Sequence, residues 1–363
     1  MIRSIYIHIP FCNRICSYCD FAKLYYNKNY VDKYLDSLKK EIESNYKNEK
    51  IKTLYIGGGT PSSLDIEELN KLFDILKIID KSNLIEYTIE CNIEDITKEK
   101  LELFKDNHIN RISIGLQTTN KDSLKLMNRN TDVDIDEKLN LVKQYFTNIN
   151  IDLMYGFNKD INILKKDLEY LISKDITHIS TYSLILEENT KLYIDKFKRI
   201  DDDVDYEFYK YISDYLKQNG FIHYEISNFC KPGYESIHNL CYWNNDNYYG
   251  FGLGSGGYID NVRYTNTRSI NNYIDGKYKI YEEELTKKEI EEYEMILGLR
   301  KVSGIDKNKF YNKFNENIED VFDIKNMINN NLLEEKDGFI YIPYDKLYIE
   351  NSILINFVGG SNE

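Results

Sequence analysis

Short runs rich in Ile, Tyr, Val and Thr recur through the first two hundred residues, at 4–9, 53–56, 85–90, 111–116, 149–154 and 178–184. Their composition predicts six β-strands. Between them apolar side chains return at helical spacing, as in Val31, Tyr34, Leu35, Leu38 and Ile42, then Ile66, Leu69, Leu72, Phe73 and Leu76, then Ile161, Leu164, Leu168 and Leu171. Strands alternating with helix-length segments imply parallel pairing through right-handed crossovers. The pattern therefore predicts a βα barrel or an open doubly wound sheet, and in either fold ligands sit at the carboxyl ends of the strands.

The texture then changes. An acidic stretch at 201–205 opens a helix that runs through Leu216 and is stopped by Gly220, and residues 224–273, rich in Gly, Asn and aromatics, read as loop or irregular sheet. From Thr286 the helical period returns with Ile290, Tyr293, Ile296 and Leu297, and a short strand, Gly338 to Ile342, closes the chain in a winged-helix-like arrangement. The expected organisation is a core over 1–200, a connecting helix and Gly/aromatic segment over 201–285, and an α+β domain over 286–363.

Charge narrows the partners. The 363 residues carry 47 Lys and Arg against 60 Asp and Glu, a formal charge of −13, and residues 300–363 hold 8 basic against 11 acidic side chains. Phosphate-backbone binding needs clustered Lys and Arg, so the winged-helix-like end is expected to pack or to meet a protein, and nucleic acid is excluded as a partner. No apolar run has the roughly 20 residues of a membrane span, and no basic-then-apolar leader is present, so a cytoplasmic location is expected.

The chemistry begins directly after the first strand. Cys12, Cys16 and Cys19 stand in C-x3-C-x2-C spacing on a loop, residues 10–21. In a reducing compartment three thiols at that spacing point to a metal centre rather than to disulfides. Zinc would need a fourth ligand, for which Asp20 or His8 could serve, whereas a 4Fe-4S cluster held by three cysteines keeps one iron open.

This loop, with the aromatic Tyr18 before the last cysteine, resembles the signature of the radical S-adenosylmethionine (SAM) superfamily. The resemblance implies a partial (β/α)6 TIM-type barrel, a 4Fe-4S cluster on Cys12, Cys16 and Cys19, and SAM bound to the open iron. It narrows with Tyr6-x-His8-x-Pro10-Phe11-Cys12, then Gly57-Gly58-Gly59-Thr60-Pro61, then Glu90-Cys91-Asn92. These are similar to the oxygen-independent coproporphyrinogen III oxidases and their relatives. By that likeness Tyr6 and Tyr18 flank the cluster and cofactor. Gly58, Gly59 and Thr60 grip the methionine end of SAM, a role that also suits a glycine-rich strand end. Glu90, Gln117, Arg129 and Asp152 match further polar positions of the SAM site. For each carboxylate and amide alone a helix cap or surface role is the ordinary reading; their recurrence at successive strand ends is what favours a shared site.

The true oxidases resemble C-x3-C-x2-C-x-C and carry an extension ahead of it, whereas Phe21 occupies the last cysteine position here and the motif starts close to the first residue. Cys19-Asp20-Phe21, with His238-Asn239-Leu240-Cys241-Tyr242-Trp243, is similar instead to the haem-chaperone branch. That branch implies haem as a further ligand, with His238 as its candidate iron ligand and Cys241 as a minor one, a haem-acceptor protein and an electron donor as partners, and peripheral membrane contact through the acceptor. Other histidines, His8 among them, read as packing groups. Two segments depart from the family pattern, Asn130-Thr131 where x-His is usual and Phe157-Asn158 where Leu-Pro is usual, and both bear on the far side of the SAM pocket. Haem delivery, porphyrinogen decarboxylation and radical methyl transfer are the competing activities, so SAM cleavage and enzymatic turnover stay open, with the oxidase departures counting against the second.

Overall fold

The computed structural model describes residues 2–359. All six expected strands are present: β1 (Ser4–Ile9), then, after the short pair β2 (Phe11–Cys12) and β3 (Leu24–Tyr25), β4 (Thr53–Gly58), β5 (Glu86–Asn92), β6 (Arg111–Gln117), β7 (Asn148–Tyr155) and β8 (His178–Ser183). β1 and β4 to β8 pair in chain order and all in parallel, with helices in the crossovers, so their carboxyl ends lie along one rim.

The Gly/aromatic segment is more regular than its sequence suggests. It supplies β9 (Ile222–Glu225), β10 (Asn228–Cys230), β11 (Tyr248–Gly252), β12 (Gly256–Ile259) and β13 (Val262–Asn266), followed by β14 (Lys279–Glu284). These extend the sheet at both sides into twelve strands, in the order β14-β13-β12-β11-β1-β4-β5-β6-β7-β8-β10-β9. β11 joins β1 in parallel, Ser4 opposite Tyr248 and His8 opposite Gly252. Ile5, Ile7 and Ile9 of β1 are fully enclosed as a result. Each such side chain contributes about 1.5–3 kcal/mol by leaving water.

The predicted helices form where the apolar period required them. Lys28–Asn45 starts on an Asn27 cap and buries Val31, Tyr34, Leu35, Leu38 and Ile42, while Ile66–Ile75 starts on an Asp65–Glu68 capping box. Glu41 is a polar exception on the first of these. Its carboxylate accepts from the Gly252 amide (2.9 Å), Asn266 Nδ2 (2.6 Å) and Tyr273 Oη (2.5 Å), joining this helix to β11 and its neighbours.

Past Lys287 a second core forms around Met295, Leu299, Phe310, Ile340 and Phe357. Helix Lys287–Gly298 is followed by β15 (Ile305–Asp306), three short helices and the hairpin of β16 (Glu334–Lys336) and β17 (Phe339–Tyr341), which pair in the order β15-β17-β16. This helix-then-hairpin order is the expected winged-helix-like arrangement. Among the described residues no helix is long and apolar enough to cross a membrane.

Candidate functional site

A cavity of about 700 Å³ opens at the carboxyl rim of β1 and β4 to β8. Its walls include all three cysteines of the loop, Tyr18, the Gly58-Gly59-Thr60 strand end, Glu90, Gln117, Arg129 and Asp152. Side chains from six separate segments thus converge on one space.

The cysteine loop is held on both flanks. At its base the Leu24 amide donates to the Pro10 carbonyl (2.7 Å) and the Tyr26 amide to the Cys12 carbonyl (2.9 Å). At its tip the Ser17 amide donates to Met127 O (3.0 Å), Ser17 Oγ to Leu126 O (2.6 Å), and the Leu192 amide to Ser17 O (3.0 Å). Cys12 is buried, and burial pushes its thiol up to about 12. Thr60 Oγ1 lies 3.4 Å from Cys12 Sγ.

Two glycines explain why the second strand end must be so small. A Cβ on Gly59 would lie 2.8 Å from the Pro10 carbonyl and 2.9 Å from Cys12 Sγ, so any side chain there would push the cysteine loop away. Gly58 has φ +124, a backbone region that other residues rarely enter, and its amide donates to Glu90 Oε2 at 3.1 Å. Glu90 Oε1 accepts from Tyr55 Oη at 2.8 Å. Burial, with Asp152 as a second like charge, lifts the Glu90 carboxyl to about 7. Asp152, raised by burial as well, accepts from Asn150 Nδ2 at 2.8 Å.

Gln117 and Arg129 share a perch over Gly115. The β6–β7 register slips between Gly115 and Gln117, and Gln117 takes φ 70, which turns it out of the strand at the cavity wall. Arg129 donates from Nε to Tyr18 Oη (3.2 Å) and from Nη1 to Gly115 O (3.0 Å) and Asn92 Oδ1 (3.3 Å). A guanidinium and two carboxylates fixed around one pocket can receive the amino and carboxylate groups of an amino-acid-like ligand.

Tyr6 and His238 stand apart from the cavity lining. Tyr6 Oη pairs with His8 Nδ1 (3.1 Å), and His8 Nε2 donates to Ala22 O (2.7 Å), so His8 is fully engaged and does not complete a metal site. His238, 1% exposed, lies in helix Ile237–Trp243, whose first amides are capped by Glu86. Its Nδ1 pairs with Thr53 Oγ1 (2.8 Å) and its Nε2 with Tyr242 Oη (2.8 Å). Burial and Arg111 hold the imidazole neutral, with a pKa lowered to about 3. Neither nitrogen is free to bind iron, and the expectation of His238 as haem ligand does not fit this arrangement. Cys241 is buried on the same helix, away from the cavity lining.

The far wall was not foreseen. Tyr348, Glu350 and Asn351 of the C-terminal domain, with Arg300, close the cavity opposite the strand ends. Arg300 donates to Glu350 Oε1 (2.8 Å) and Asn351 Oδ1 (3.1 Å). The only sequence signal was the Leu297-Gly298-Leu299-Arg300 run, whose charge gives no hint of a partner fifty residues on.

Among the described residues no three His, Cys, Asp or Glu side chains converge as the ligands of a single metal ion. The three thiols share one wall of the cavity, and His8, the one histidine near them, is engaged elsewhere, so the donor set suits a 4Fe-4S cluster held by three cysteines. Residues 6–167 match the Radical SAM superfamily and residues 285–343 the HemN C-terminal domain. The solved coproporphyrinogen III oxidase HemN of Escherichia coli has the same fold, with a TM-score of 0.86 over 99% of this chain and 90% of that one, at 20% identity. Fold and site thus define a radical SAM protein, a class that implies a 4Fe-4S cluster and SAM. The chain is 39% identical to "Heme chaperone HemW" of Lactococcus lactis subsp. lactis (strain IL1403), covering 98% of this chain and 97% of that one, and 35% identical to its namesake in Bacillus subtilis (strain 168), covering 99% and 100%. It belongs to the HemW family.

Proposed function

We propose that the protein is a haem chaperone that carries a 4Fe-4S cluster on Cys12, Cys16 and Cys19, binds SAM in the adjoining cavity, and delivers haem to an acceptor protein. The observation that carries this reading is the end-to-end similarity to the HemW proteins, together with a cavity that gathers the three thiols and the polar strand-end residues. When bound, the cluster supplies one electron to SAM, from a cytoplasmic electron donor. The chain's own residues bind and orient. Gly58, Gly59 and Thr60 offer backbone and hydroxyl groups at the β4 end, Glu90 and Asp152 take the cofactor's ammonium and hydroxyl donors, and Arg129 and Gln117 take its acceptors. Tyr6, behind this wall, steadies it through His8.

Porphyrinogen decarboxylation is the second reading, favoured by the HemN-like fold. Phe21 on the cavity wall weighs against it, since a phenyl ring can neither ligate metal nor move a proton. Anaerobic haemin titration of the cluster-loaded protein, followed by transfer to an apo-cytochrome, tests the proposal. Saturation near one haem per chain with onward transfer is expected. Loss of carbon dioxide from coproporphyrinogen III, without stable haem binding, would replace it with the oxidase reading.

A further inference from the structure

The mouth of the cavity is unusually apolar for an open surface. Phe21 and Ile185 both line it and are 69% and 64% exposed. Close by stand Leu126 (46%), Tyr193 (46%) and Ile194 (69%), on segments that bond to the same cysteine-loop residue: the Leu126 carbonyl takes the Ser17 hydroxyl, and the amide of Leu192 donates to the Ser17 carbonyl. Leu184 and Leu186, which flank Ile185, and Leu192, which precedes Tyr193, belong with Tyr18 to one small core. Large apolar groups gathered at one opening mark a binding surface.

Charge around the cavity is uneven. Arg14 and Lys23 line the cysteine-loop side together with Asp20 and Glu187, of which Asp20 is paired with Arg268 (3.6 Å), and the Lys23 ammonium is turned to the carbonyls of Cys19 and Phe21. At the opposite end stand Asp205 and Glu350, with Glu225 buried behind them, against the single guanidinium of Arg300. An amphipathic ligand with carboxylates would thus enter with its charges toward the mouth and away from the C-terminal domain.

We infer that this mouth is the haem surface, with Phe21 and Ile185 packing on the macrocycle and Arg14 receiving a propionate. The inference rests on the chaperone reading above and assigns its ligand to a place other than the His238 helix. An apolar plane bearing two carboxylates on one edge matches an apolar rim with the exposed Arg14 guanidinium on one side, and aromatic stacking suits the Phe21 ring. The surface also sits over the cysteine loop, so bound haem and the SAM cavity share a wall.

The test uses full-length, cluster-loaded protein and two probes, zinc protoporphyrin IX and its dimethyl ester, with haemin as the reference ligand. Phe21→Ser with Ile185→Ser should weaken both probes by about tenfold or more, the effect of losing on the order of 50 Å² of apolar contact. Arg14→Gln should weaken the dicarboxylate by about threefold, the size of an exposed ion pair, and leave the diester unchanged. These side chains are exposed, so cluster content and melting temperature should stay at wild-type values. If wild-type protein binds haemin and the double variant binds it equally well, the inference is overturned. If, in addition, the double variant loses transfer to an apo-acceptor or association with lipid vesicles, the rim belongs to that macromolecular partner. If wild-type protein binds no porphyrin, the chaperone reading falls first and takes the inference with it.

Discussion

The ring of Tyr55 lies 5.1 Å from the imidazole of His238, tilted by 31°, and its hydroxyl holds Glu90 Oε1 at 2.8 Å. A histidine that its sequence context offered as an iron ligand is instead packed behind the residue that orients a cavity carboxylate.

His238→Ala should therefore act on stability and on SAM. It strands the Tyr242 hydroxyl, leaves Thr53 Oγ1 with Ser4 as its one remaining partner and opens a hole beside Tyr55, at a cost of about 2–4 kcal/mol. Chemical unfolding should register that loss, and SAM affinity should fall as Tyr55 loosens. Haemin affinity should stay within about twofold; a collapse of haem binding with normal stability would return iron ligation to this residue.

Glu90→Ala should lower SAM affinity by about tenfold or more, the scale of one or two hydrogen bonds to a charged group, without reducing bound iron. Calorimetry with and without the substitution, on protein of matched iron content, reads the two effects apart.

Cys16→Ala should abolish cluster retention after anaerobic reconstitution, measured as iron and sulfide per chain. Gly59→Ala should do partial damage by a different route, since its methyl group would collide with the Pro10 carbonyl and Cys12. Overpacking of this kind costs about 1–3 kcal/mol, so a lower melting temperature should accompany incomplete loading.

Glu41 should give the fold a pH dependence of its own. Burial raises its pKa from 4.5 to about 7 in the folded chain, so between these values the folded state holds a proton that the unfolded state has released. The stabilisation from that proton is complete below pH 4.5 and is lost as pH rises through 7, on the order of 3 kcal/mol in all. Unfolding free energies should fall from pH 5 to 8, with Glu90, Glu225 and Glu350 adding to the trend, and Glu41→Gln should remove the Glu41 share of the slope.

How much of this was legible in the sequence follows from range. Val31, Leu35 and Leu38 or Leu69 and Leu72 betray their helices because the period is local, and the six strands follow from alternation with those helices. β11 was not read as a central partner of β1, because Tyr248–Gly252 carries two glycines and its neighbour lies some 240 residues earlier. The strand-end residues Glu90, Gln117 and Asp152 were readable because parallel topology sends every strand end to one rim. Arg300 and Glu350 were not, since nothing local says that the last domain folds back to close a cavity. His238 was read from its motif alone, since its partners Thr53 and Tyr55 come from a strand far away in the chain.

The parallel pairing of β1 with β11 also orders events in time. The cysteine loop springs from β1, yet one of the two ladders that frame β1 cannot exist until residue 252 has left the ribosome. During most of synthesis the three thiols thus belong to an unfinished edge, open to oxidants and stray metals.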